Sequence, residues 1–291
     1  MNAKYRDGYF EGCKKTKLFY RNWIVNESEA DVVFLHGFGD HSARYGHFAA
    51  FLSDNNISFY TYDLRGHGKS EGIRWDIEYF DYFSRDLEIF IKNFLEGKKN
   101  IFFIGYSMGT LIVLKYLLKS QFKPKGVILI SPAFGTYLFN IKIPSIFIDF
   151  VSLLSSPILK TLEGIARLPL LGTKVYDNYL THNEKEIEAI RQDSLVNRGS
   201  IKFRMAIELS KNIVEVRRRV KKLDFPILIL FGRDDRIIPT LEIKKFYNRL
   251  ENPDKELVEF PDLYHDLLHE VRYERVYNNI LDWISNKLNE N

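Results

Sequence analysis

The 291-residue sequence predicts an α/β protein, with a mostly parallel central sheet, helices on both faces and an inserted helical cap. Three observations lead there. Short apolar runs rich in β-branched and aromatic residues recur at 31–35, 57–62, 101–104, 126–130 and 226–231, and unbroken runs of this length suit strands covered on both faces. Longer segments with helical spacing separate them, and strand–helix–strand alternation is the pattern of a parallel sheet. From Phe134 to about Val220 no strand is evident, so this stretch reads as a cap between two sheet strands. The expected division is a core of residues 1–133 and 221–291 and a cap of 134–220.

Composition narrows the class. With 45% hydrophobic residues the chain can bury a substantial core. A net charge of +4 gives no argument for a nucleic-acid partner. Cys13 is the single cysteine, which excludes an internal disulfide or a multi-thiolate metal site and points to a reducing compartment. The N-terminus lacks the apolar core of a signal peptide, and the expected location is cytoplasmic.

In chain order, 17–25 (KLFYRNWIV) reads as a strand of an early hairpin. The buried strand 31–35 runs into His36-Gly37-Phe38-Gly39. A strand ending in His-Gly-x-Gly leaves backbone N–H groups beside the sheet's carboxyl edge, so the Phe38 N–H is a candidate oxyanion donor. His36 precedes the turn and reads as a buried hydrogen-bonding residue; His41 reads as non-catalytic and near the site's mouth. A helix over 44–55 and a strand over 57–62 follow. The loop Asp63 to Ser70 holds His67, read as structural because glycines 66 and 68 shape a tight turn. A helix over 76–95, ending before Gly97, leads to the strand 101–104.

Gly105-Tyr106-Ser107-Met108-Gly109 follows that strand at once and opens a helix over 110–118. A strand turning sharply into a helix holds one residue in strained dihedrals at the end of the sheet. Ser107 is therefore the candidate nucleophile, and the Met108 N–H the second oxyanion donor. After the strand 126–130, the cap begins with a strongly apolar segment, 137–159, that Pro144, Asp149 and Pro157 interrupt. It is too broken to span a bilayer. It reads as a greasy lid that packs on the core, grips acyl chains and makes transient contact with a membrane surface. The basic run Arg217 to Lys222 reads first as a solvated helix end. Beyond the strand 226–231 lie Asp234 and Asp235, either of which stands where a triad acid belongs. Beyond the last strand, 255–260, His265 stands where the base belongs; His269 is placed in the following helix.

These motifs resemble the α/β-hydrolases of the monoacylglycerol lipase and lysophospholipase group, a family often labelled serine aminopeptidase S33. HGFGDHSARY (36–45) is close to the family's HGxGEHSxRY. DLRGHGKSEG (63–72), GYSMG (105–109), SPAF (131–134), GRDDRIIP (232–239) and YHDLLHE (264–270) fit as well. The segment 183–196 resembles the cap stretch before the family's DPLV signature, with Ser194 in place of its proline and Asn197 where a histidine is common. The resemblance implies an α/β-hydrolase fold, a Ser107–Asp235–His265 triad, an acyl-enzyme, and a small lipidic ester as substrate, with neither metal nor organic cofactor. Two alternatives stand beside it: an amide or peptide hydrolase of the proline iminopeptidase kind on the same triad, and a non-catalytic binding protein on this fold.

Overall fold

Residue 101 onward shows why the sheet forms where it does. The structure, a computed structural model, describes residues 3–135, 137–138, 141–142, 148–149, 164, 167–170, 177–197 and 199–290. Along the strand β5 (Ile101–Tyr106), Phe102 and Ile104 face one layer and Ile101 and Phe103 the other, as the two-residue side-chain period requires. None of these four is more than 2% exposed, and full burial of each side chain contributes about 1.5–3 kcal/mol.

The other strands are β1 (Ala3–Glu11), β2 (Lys17–Val25), β3 (Ala30–Leu35), β4 (Ile57–Tyr62), β6 (Gly126–Ile130), β9 (Ile227–Gly232) and β10 (Lys255–Phe260), with a two-residue pair, β7 (Tyr137–Leu138) and β8 (Ile141–Lys142), between β6 and β9. The main sheet has the order β1-β2-β4-β3-β5-β6-β9-β10. β1, β2 and β4 pair antiparallel; from β4 through β10 every pairing is parallel. Helices α1 (Gly46–Asp54), α2 (Asp81–Phe94), α3 (Met108–Lys119), α4 (Glu184–Gln192), α5 (Phe203–Arg219), α6 (Thr240–Arg249) and α7 (Tyr273–Asn289) follow in chain order. α1 and α7 pack on the face that carries Phe34, Phe102 and Ile128. α2, α3, α5 and α6 pack on the other. The doubly covered parallel sheet expected from the sequence is thus present.

The differences have local causes. The first strand of the hairpin is Ala3–Glu11, an edge strand with mostly exposed side chains and so little apolar signal. The segment 44–55 divides into a 3-10 turn at Ser42–Tyr45 and α1. α2 starts at Asp81 rather than 76. Residues 76–80 are held by α5 instead: Asp76 pairs with Arg204, and the Phe80 N–H donates to Glu208 Oε2 at 2.9 Å. β7 and β8, and a bridge between Pro169 and Lys202, correct the expectation that 134–220 holds no extended pairing. Of the apolar segment 137–159, most lies outside the described residues; Ile148 is buried in the core. The basic run is largely paired, with Arg217 on Glu242 at 3.0 Å, Arg219 on Glu215 at 3.3 Å and Lys221 on Glu251 at 2.5 Å. No helix among the described residues is long and apolar enough to cross a membrane.

Candidate active site

Ser107 sits between β5 and α3 with φ 50° and ψ −117°, a conformation that costs a non-glycine residue about 1–3 kcal/mol. The glycines around it explain how the turn closes. A β-carbon on Gly109 would lie 2.2 Å from the Leu35 carbonyl oxygen, and one on Gly105 would lie 2.7 Å from the Thr110 backbone. Only hydrogen at these positions lets α3 start directly against the ends of β3 and β5. The Ser107 carbonyl is taken by the Thr110 N–H at 3.1 Å and its hydroxyl at 2.6 Å, which secures the first turn of α3.

Asp235 and His265 come from the loops after β9 and β10, which lie beyond β6 in the sheet. Gly232 ends β9 beneath the loop that carries His265, where a β-carbon would meet the Leu263 and Tyr264 carbonyl oxygens at 2.2 and 2.3 Å. Asp235 follows three residues later, buried, with Oδ1 accepting from the Ile237 and Ile238 N–H groups at 2.7 and 2.8 Å. Its Oδ2 lies 2.7 Å from His265 Nδ1, and His265 Nε2 lies 3.1 Å from Ser107 Oγ. A carboxylate can only accept, so Nδ1 carries the proton and Nε2 offers a lone pair to the serine O–H. Asp234 is exposed and its side chain takes no part. The N–H groups of Phe38 and Met108 donate to no other group among the described residues, and Gly37 is close enough that its missing β-carbon would be 3.2 Å from Ser107 Cβ.

A layer of buried charge beneath these residues was not singled out from sequence. Arg44 bridges Asp40 at 3.1 Å and Asp266 at 3.0 Å, so it joins the Phe38 loop to the residue after His265. Tyr45 donates to Asp40 at 2.5 Å, and His269 Nδ1 lies 2.8 Å from Asp266. Despite burial, Arg44 holds the Asp40 carboxyl well below the usual range, and His269 and Arg44 hold Asp266 low. The proximity in sequence of HSARY to the Phe38 turn and of Asp266 to His265 was the only signal for this layer. His269 belongs to the short 3-10 turn Leu267–His269 rather than the following helix. Its other ring nitrogen meets the Arg44 carbonyl at 3.0 Å, so it is not a rival base.

His36, His41 and His67 are buried and hydrogen-bonded to other groups, as their sequence context suggests. His36 accepts the Leu64 N–H at 2.9 Å, and burial lowers its basicity. Burial, with His36 nearby, lowers His67 to about 3; its Nδ1 bonds the Arg65 carbonyl at 2.9 Å. Asp63 fixes its own loop by accepting from the Ser42 and Lys69 N–H groups, each at 2.8 Å. His41 pairs with Asp193 at 2.8 Å, and the Asn197 N–H bonds the Gly39 carbonyl at 2.7 Å, which fastens the stretch before α5 to the turn that carries Phe38. A second fastening joins 180–182 to 266–270. The Asp266 N–H bonds the Leu180 carbonyl at 2.7 Å, Thr181 bonds the His269 carbonyl at 3.0 Å, and buried Glu270 receives His182 Nδ1 at 3.0 Å and the Tyr264 N–H at 2.9 Å. Among the described residues no cluster of histidine, cysteine and carboxylate side chains is placed to hold a metal ion.

Comparison with known proteins gives the family. The family model described as serine aminopeptidase, S33, matches residues 26–272. An uncharacterised protein of Escherichia coli, YnbC, is 28% identical over 95% of this chain, which spans only 46% of that protein's length. The monoglyceride lipase of Mus musculus is 27% identical, with 99% of this chain and 93% of that protein aligned. The crystal structure of Paleococcus ferrophilus monoacylglycerol lipase shares the fold, with a TM-score of 0.79, 24% identity, and coverage of 93% of this chain and 99% of the other. The sheet order, the serine turn and the span of the family match lead to one assignment: the chain belongs to the serine aminopeptidase S33 family of α/β-hydrolases.

Proposed function

We propose that this protein is a serine hydrolase that cleaves carboxylic esters of lipidic substrates, monoacylglycerols or lysophospholipids, through Ser107, His265 and Asp235. The unbroken relay from Ser107 Oγ to His265 to Asp235 carries this reading. His265 takes the serine proton as Oγ attacks the ester carbonyl, and Asp235 keeps the ring in the useful tautomer and stabilises the imidazolium. The N–H groups of Phe38 and Met108 receive the oxyanion; one such donor contributes about 3–4 kcal/mol to the transition state. His265 then protonates the leaving alcohol, and water releases the acyl group by the same steps in reverse. A cap of residues 134–220 provides acyl-chain contact in this reading, supported by the apolar character of 137–159.

The likeness to monoglyceride lipases over nearly their whole length favours ester over amide substrates. Rates should be measured on monoacylglycerols and lysophospholipids of increasing chain length, p-nitrophenyl esters and aminoacyl anilides. Ester hydrolysis is expected, with Ser107→Ala folded, inactive and unlabelled by a fluorophosphonate. Anilide turnover faster than ester turnover, or near-normal activity in Ser107→Ala, would overturn the proposal.

A further inference from the structure

With the Ser131 side chain reaching one proposed triad residue, the peptide unit between Ile130 and Ser131 touches the supports of the other two. Its carbonyl accepts the Ser107 N–H at 2.9 Å, and its N–H donates to the Leu230 carbonyl at 2.8 Å on β9, the strand that leads to Asp235. These two bonds continue the sheet ladders of β6 with its neighbours. The side chain does something the ladder does not. Ser131 is fully buried, and its hydroxyl donates to the His265 carbonyl at 2.6 Å. His265 lies on the loop after β10, and β10 is not a neighbour of β6, because β9 runs between them. The hydroxyl therefore reaches past the end of β9 to hold the backbone of the base. It does so from a left-handed conformation, φ 45°, which glycine adopts freely and serine rarely.

We infer that Ser131 is a positioning residue: its hydroxyl fixes the height of the His265 backbone relative to the nucleophile strand, so that one ring spans both Asp235 and Ser107. This rests on the triad reading above and adds a residue to it. A ring that must bond at both nitrogens tolerates little backbone drift, and a misplacement of about 1 Å costs roughly a hundredfold in rate. A carbonyl left without its donor has only solvent-excluded surroundings in which to find another.

Ser131→Gly separates this role from a folding role, because glycine suits the left-handed backbone while the hydroxyl is lost with its β-carbon. Relative to wild type, kcat on a p-nitrophenyl ester should fall about tenfold or more, with KM within about twofold and thermal midpoint nearly unchanged. The low-field proton resonance of His265 Nδ1–H should broaden or move. Ser131→Ala should show the same catalytic loss with a lower thermal midpoint. Wild-type kcat with an unchanged resonance in Ser131→Gly would overturn the inference. Failure of Ser131→Gly to fold would overturn it too, since the hydroxyl would then be a folding determinant. If wild type hydrolysed no ester, the functional reading would fail, while the resonance, which needs no substrate, would still test Ser131.

Discussion

Gly109→Ala is the sharpest mechanical test of the serine turn. The added β-carbon would sit 2.2 Å from the Leu35 carbonyl oxygen and 2.8 Å from that of His36. Both atoms are backbone, on the strand that leads into the Phe38 turn, so no side chain can swing aside. Restoring ordinary contact requires α3 and β3 to part by roughly 1 Å. Overpacking of this kind typically costs about 1–3 kcal/mol of stability. It moves the Met108 N–H and Ser107 away from the Phe38 N–H, and a displacement of that size lowers kcat by about a hundredfold. Steady-state kinetics on a p-nitrophenyl ester, together with a urea titration, reads both numbers. Gly46→Ala is the control: its β-carbon meets nothing nearer than Trp23 at 3.8 Å, so it should be neutral or stabilise by about 0.4–1 kcal/mol. A Gly109→Ala enzyme with wild-type kcat and midpoint would refute the close-approach account of the turn.

Arg44→Met leaves Asp40 and Asp266 buried without their shared cation, which should cost about 3–5 kcal/mol; calorimetry showing a loss under 1 kcal/mol would contradict it. Acid stability supplies another test. His67, lowered to about 3, stays neutral in the folded protein while the unfolded chain takes up a proton below pH 6.5 or so. The unfolded state then binds more protons, so stability is full above that value and is lost on acidification at about 1.4 kcal/mol per pH unit. Asp86, which burial raises to about 6, acts in the opposite sense between about pH 4 and 6, so the comparison must be with a variant. His67→Gln should flatten the slope of unfolding free energy against pH between 4 and 6 by that amount, and an unchanged slope would refute the assignment.

What the sequence disclosed and what it withheld divide by range. β5, the turn at Ser107 and the start of α3 are contiguous, so apolar runs and two glycines were enough to place them. Asp235 over Asp234 needed either the resemblance or coordinates, since both stand beyond the same strand. The start of α2 was misplaced because residues 76–80 answer to Arg204 and Glu208, more than 100 residues away, and no local period records such a debt. The same distance hid the Arg44 bridge and the Ser131 hydroxyl. β1 escaped because an edge strand with charged and aromatic residues facing solvent carries no buried alternation.

The strap of residues 180–182 has a consequence for how substrate comes and goes. One of its bonds, from the Asp266 N–H to the Leu180 carbonyl, ends on the residue next to His265, and the others end on His269 and Glu270. In the function proposed above, raising this flank would loosen the very ring it adjoins, and so opening on this side and holding that ring in place exclude one another.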